Sequence, residues 1–170
     1  TFPYQVDKGV DFYAKYIPNP SITIYYKAVG GGSVSPIKDR FKAYTGAPTG
    51  STGTTPLGYE FKGWFNNDMG LGTPISTNLK FTPSKPADGW TDGMTFYAVW
   101  EGNSDILTYD ANKGTGEMSA STGNVGSEVA VKENQFTRQG YYFAGWNTKA
   151  DGTGTAYMPG ENYMLTAGDD

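Results

Sequence analysis

Ile22, Ile24 and Tyr26 alternate with Thr23 and Tyr25, and Phe96, Ala98 and Trp100 alternate with Tyr97 and Val99. A period of two turns one set toward a core and the other away, so both stretches are expected to be strands of a sheet covered on one face. Ser35-Pro36 ahead of Ile37, Phe41 and Tyr44, with Gly46 beyond, has the cap, first-turn proline and terminator of a helix. Phe41, Ala43 and Thr45 also alternate with Lys42 and Tyr44, however. The stretch taken to match them further on, Glu128-Val129-Ala130-Val131-Lys132, reads as a strand. A strand is therefore expected there, with any helical turn placed at 133–139. Asp151-Gly152, after Trp146, reads as a tight hairpin turn, and 66–72 holds the same place earlier in the chain.

The pattern repeats. Gly58-Tyr59-Glu60-Phe61-Lys62-Gly63-Trp64 returns 82 residues later as Gly140-Tyr141-Tyr142-Phe143-Ala144-Gly145-Trp146. Ile24-Tyr25-Tyr26-Lys27-Ala28 returns after 83 as Leu107-Thr108-Tyr109-Asp110-Ala111, and Asp11-Phe12-Tyr13-Ala14-Lys15-Tyr16 after 84 as Thr95-Phe96-Tyr97-Ala98-Val99-Trp100. Three matches at nearly one spacing divide the chain into a terminal strand (1–17), a first module (21–100) and a second module (105–170). Pro18-Asn19-Pro20 and Glu101-Gly102-Asn103-Ser104 are expected to be short, turn-forming connectors.

Composition narrows the chemistry. Leu, Ile, Val and Phe make up 28 of 170 residues, while aromatics reach 15%, so Tyr, Phe and Trp carry the core. With no Cys and no His, disulfides, thiolate nucleophiles, Ser–His–Asp and Cys–His catalysis and thiolate zinc sites are excluded. The net charge of −4 and the scattered cations argue against nucleic acid. No run reaches membrane-spanning length, so no membrane insertion is expected. Thr1 at the start, without a signal segment, reads as a processed chain or an excerpt.

The run 109–116, then 137–147, then 165–169 resembles the Listeria–Bacteroides repeat, also called the internalin B-repeat. The first module follows the same pattern through 30–36, 58–64 and 96–100. The resemblance implies a mainly β fold (α+β at most) of tandem, small β-grasp-like modules. It implies a non-catalytic role as stalk, spacer or adhesion segment, extracellular, on a bacterial surface or in a secreted filament. Two stretches of the first module, 46–56 and 83–93, depart from the pattern and are expected to be loops.

The pattern also calls for a Phe-Tyr-Ala-x-Trp strand after Asp170, and Val10-Asp11-Phe12-Tyr13-Ala14-Lys15-Tyr16 is such a strand at the other end. Two accounts fit. Either the chain is part of a longer array with neighbouring repeats, or this candidate donor strand completes the second module of another copy, head to tail, as a filament. Donation would recruit main-chain hydrogen bonds, with either Phe12, Ala14 and Tyr16 or Tyr13 and Lys15 turned inward.

Phe61, Trp64, Phe96, Trp100, Phe143 and Trp146 are the expected core anchors. Trp90, in a loop of one module only, is a possible ligand platform, and the alternative function is a carbohydrate-binding module using exposed aromatics, with host or cell-surface glycans as partners. Asn147 and Asp151-Gly152-Thr153-Gly154 offer oxygen atoms, but the acidic series of an EF-hand is absent, so no cofactor is expected and Ca²⁺ is disfavoured. Gly30-Gly31-Gly32 lacks the Lys-Ser/Thr of a phosphate loop and reads as a turn. No pair of acids is marked out for glycoside hydrolysis. A Lys–Asn isopeptide bond is open, with no triple assigned.

Overall fold

The computed structural model describes residues 12–168, which form thirteen strands and no helix. The first module holds β1 (Ser21–Val29), β2 (Ser33–Ser35), β3 (Lys38–Lys42), β4 (Ser51–Thr54), β5 (Tyr59–Phe65), β6 (Lys80–Phe81) and β7 (Thr95–Gly102). The second holds β8 (Ser104–Leu107), β9 (Ser121–Asn124), β10 (Glu128–Ala130), β11 (Trp146–Asn147), β12 (Ala156–Tyr157) and β13 (Asn162–Met164). The chain is mainly β, as its alternation requires.

The four-stranded sheet of the first module runs β3-β1-β7-β5, with β1 and β7 parallel at its centre and the outer strands antiparallel to them. That is the strand order of a β-grasp sheet. Where that fold would lay a helix across the sheet, a second sheet, β2-β4-β6, supplies the cover. Ile22, Ile24 and Tyr26 of β1 and Phe96, Ala98 and Trp100 of β7 are all buried, the two inward sets the alternation predicts. Phe81 of β6 stacks on Trp64 at 5.1 Å, and Trp64 meets Tyr26 edge-on at 5.9 Å. Each such ring removes about 150–250 Å² from water, roughly 4–6 kcal/mol of gross transfer free energy. A few rings therefore do here what many aliphatic side chains do elsewhere.

Glycine decides how closely the layers approach. A Cβ on Gly53 of β4 would sit 2.8 Å from the Trp100 ring, and one on Gly32 would run into the same ring from another side. The indole lies in a cradle that side chains would fill, with its Nε1 donating to Thr55 Oγ1 at 2.8 Å.

Several expectations are corrected. The strand near Phe41 exists as β3, but its counterpart in the second module is β9, because the core tyrosines pair with them in the same way. Tyr26 donates to Asp39 on β3, and Tyr109 bonds Ser121 on β9. Residues 128–130 instead correspond to β4, so 46–56 is not a loop but contains a strand of the covering sheet. No helical turn forms at 133–139. The Asn134 side chain bonds both the N–H and the carbonyl of Phe136, a local closure that competes with helical pairing. The hairpin after Trp146 forms between β11 and β12, with a loop of several residues containing the Gly152–Lys149 turn.

The second connector is no turn either. β7 runs to Gly102 and β8 starts at Ser104, leaving Asn103 alone between the modules. Asn103 N–H donates to the Gly58 carbonyl at 2.8 Å, and its carbonyl accepts from Val125 N–H at 2.9 Å. Val125 is packed so tightly on Gly102 that a Cβ there would collide with its carbonyl oxygen. At the first connector, Asn19 accepts from Tyr44 N–H and donates to Thr45 Oγ1, fixing the entry into β1.

Candidate functional site

Among the described residues, the second module repeats the first without a counterpart of β7. In the first, β7 lies between β1 and β5 and hydrogen-bonds both. In the second, β8 pairs only with β9, and 140–145, the counterpart of most of β5, carries no strand pairing among the described residues. Among the described residues, neither 108–111, which follows β8, nor 140–145 joins a strand pairing.

Equivalent side chains register the difference. Trp64 has no exposed surface and Tyr26 is buried, whereas Trp146 and Tyr109 are only half-buried. Ile24 is fully buried and its counterpart Leu107 half-buried, while Phe143 is 40% exposed against a half-buried Phe61. The aromatic contacts themselves persist: Tyr109 lies 4.9 Å and Phe143 5.0 Å from Trp146, whose Nε1 donates to the Lys132 carbonyl at 2.9 Å. The remaining anchors of the first module close its core, with Phe61 and Trp100 rings 5.0 Å apart and Phe96 5.4 Å from Phe81. Among the described residues of the second module, nothing takes the place of the row that Phe96, Ala98 and Trp100 supply in the first.

Of the candidate donor strand, Val10 and Asp11 lie outside the described residues. Phe12, Tyr13 and Tyr16 are 95%, 87% and 90% exposed, and Phe12–Tyr16, Ala14 and Lys15 included, joins no strand of its own chain among the described residues.

The core tyrosines carry the main electrostatic feature. Burial, and then the bond to and charge of Asp39, push the Tyr26 phenol up. Burial alone would raise Asp39, but bonds from the Thr49 hydroxyl, the Gly50 N–H, the Tyr26 hydroxyl and the Thr49 N–H outweigh it and hold the carboxyl below its ordinary range. In the second module Ser121 takes that place, and Lys132 N–H donates to the Tyr109 hydroxyl at 2.9 Å.

Other sequence candidates are placed as follows. Trp90 is half-buried and packs edge-on against Phe41 at 5.2 Å. Its loop folds back on β1, where Asp92 accepts from Thr23 N–H. In the 147–154 loop, Asn147 Oδ1 accepts from the N–H groups of Lys149 and Gly154, and Asp151 Oδ1 from the N–H and hydroxyl of Thr153. Those oxygens are used within the loop. Among the described residues no cluster of three or more acids could hold a metal ion. The Lys132 ammonium is held by Ser119 Oγ and the carbonyls of Ser119 and Ala120, and Glu128 bonds Asn162. A cleft of about 570 Å³ beside Lys113 and Arg138 opens at the surface, where the guanidinium sits 4.0 Å over the Tyr141 ring.

The Listeria-Bacteroides repeat domain matches residues 106–169, and the divergent InlB B-repeat domain matches residues 22–96. The chain belongs to this repeat family. Its two repeats coincide with the two modules built around Trp64 and Trp146, and repeats of this type are surface structural units. A putative membrane protein of Evansella cellulosilytica is 30% identical over 168 residues, covering 94% of this chain and 23% of that protein. A putative Gly-rich membrane protein of the same organism is 30% identical over 115 residues, covering 64% of this chain and 13% of its own length. The repeats thus span about a quarter or less of these relatives. No solved structure gives a significant match to the chain. Among the described residues, no helix is long and apolar enough to cross a membrane.

Proposed function

We propose that the chain is a non-catalytic, extracellular structural segment of bacterial surface type, acting as a stalk or spacer that holds its neighbours at a fixed distance and needs no cofactor. The observation that carries this reading is the joint between modules. One residue separates β7 from β8, and Asn103 bonds Gly58 on one side and Val125 on the other. With so little free chain and both main-chain groups of Asn103 paired, little torsional freedom is left to act as a hinge. Stiff coupling is what a spacer requires and what independent binding modules do not. The alternative, a carbohydrate-binding module using exposed aromatics, had Trp90 as its possible platform, and the packing of that ring on Phe41 favours the structural reading.

Residual dipolar couplings test it. One alignment tensor fitting both modules is the expected result. Two independent tensors would describe a flexible linker and overturn the spacer reading.

A further inference from the structure

We propose that the outer face of β1 and β3 in the first module is a docking surface for a linear phosphodiester polymer of the bacterial envelope, with one negative charge to each repeat. This goes beyond the spacer reading, whose surface placement supplies only the choice of partner.

Cations that are scattered along the sequence are gathered by the sheet. Lys38, Arg40 and Lys42 alternate with Asp39 and Phe41, so all three point away from the core. Strand pairing sets them beside Tyr25, Thr23 and Ser21 of β1, and Lys27, one step beyond Tyr25 on the same face, continues the line. All four charged side chains are exposed. Among the described residues the ion pairs are those of Lys62 with Glu60 and Glu101, so these four charges have no acidic partner there. Asp39 turns to the inner side, where Tyr26, Thr49 and Gly50 hold its carboxylate. Asp92 borders the line, with one carboxylate oxygen taken by the Thr23 N–H.

The second module supplies the control. Ile24 faces Asp39 across β1 and β3 as Leu107 faces Ser121 across β8 and β9, so Lys38, Arg40 and Lys42 correspond to Ala120, Thr122 and Asn124. Lys27 corresponds to Asp110. One module therefore builds the same pair of strands with no cation on this line. Charges that only kept an edge strand from pairing with other chains would be needed equally on β9, so the line in the first module points to a ligand.

Spacing and charge select the ligand. Side chains two apart on a strand are about 6.6–6.8 Å apart, and diagonal neighbours on paired strands about 7–8 Å, so the four cations run in steps of about 7 Å over roughly 20 Å. A polymer with six backbone bonds per phosphate extends about 7 Å per charge, twice the reach of a three-bond peptide unit. A single small anion would leave most of the line unmet. The lysine stems and the Tyr25 ring, 40% exposed, offer apolar surface to the carbon spacers between phosphates. The net charge of −4 repels a polyanion from the rest of the chain and confines it to this face.

Titrating the full chain with poly(glycerol phosphate), followed by amide resonances, tests the assignment. Shifts are expected along β1 and β3 and not in the second module. Four phosphates neutralised on a flexible chain give a slope of log affinity against log salt of about −3, a loss of about 50-fold between about 50 and about 200 mM salt. Arg40→Gln is expected to bring that slope to about −2. The triple variant Lys38→Ala, Arg40→Thr, Lys42→Asn takes the residues of the second module and is expected to fold and to lose binding. No shifts in β1 and β3 at millimolar phosphate, shifts confined to the second module, a slope unchanged in Arg40→Gln, or undiminished binding by the folded triple variant would overturn the proposal. So would single-stranded DNA of equal phosphate number binding more than about tenfold tighter, which would make the face a nucleic-acid surface. None of these outcomes changes the dipolar couplings of the free chain, so failure here leaves the spacer reading to its own test.

Discussion

Truncating the two equivalent tryptophans should cost different amounts. Trp64 has no exposed surface, touches Tyr26, Phe61 and Phe81, and donates from Nε1 to the carbonyls of Asn78 and Leu79. Trp64→Ala therefore removes a whole buried ring and leaves a cavity, a loss of about 3–5 kcal/mol. Against a total of roughly 5–15 kcal/mol for an ordinary domain, that leaves the first module at the edge of folding. Trp146 keeps its contacts to Tyr109, Phe136 and Phe143 but is only half-buried, so less area returns to water and the space left behind opens to solvent. Trp146→Ala is expected to cost about half as much, roughly 1.5–2.5 kcal/mol, since the transfer free energy scales with the area buried. Urea titrations followed by amide resonances of each module separately measure both losses. Equal losses for the two variants, or less than about 1 kcal/mol for Trp64→Ala, would refute the reasoning that the burial of each ring sets its share of stability.

Further outcomes follow from the same geometry. Gly53→Ala pushes a methyl group to 2.8 Å from the Trp100 ring and is expected to destabilise the first module by about 1–3 kcal/mol in thermal unfolding, with the second module unaffected. Asp39 has its carboxyl held below the ordinary value of 3.8, so its contribution is present above that pH and lost as pH falls through the lower folded value. Asp39→Asn is accordingly expected to flatten the acid limb of first-module stability, read from urea midpoints across that range. Gly102→Ala drives a side chain into the Val125 carbonyl and is expected to split the single alignment tensor of the two modules into two, with each module still folded.

The strands with alternating aromatics were legible in the sequence because Ile24, Tyr26, Phe96, Ala98 and Trp100 do their work by area, and area shows as period two. β4 was not legible. Ser51-Thr52-Gly53-Thr54 has no apolar side chain to alternate, and its role is to be thin enough for Trp100 to lie against it. The same tripeptide in β9, Ser121-Thr122-Gly123, belongs to a different place in the module, so local identity misleads where packing decides. The true match of β3 with β9 is carried by hydrogen bonds from the core tyrosines to Asp39 and Ser121, two unlike residues that no pattern of apolar positions would align. The stiffness of the joint was not legible either, since Glu101-Gly102-Asn103-Ser104 has a turn's composition and only the fold shows Val125 closing over it.

The most direct test of the difference between the two modules is amide hydrogen exchange along the whole chain. The account predicts slow exchange along 25–29 and 60–64, where β7 pairs with β1 and β5, and fast exchange along 108–111 and 142–145, which join no strand pairing among the described residues. Equal protection of the two sets would contradict it.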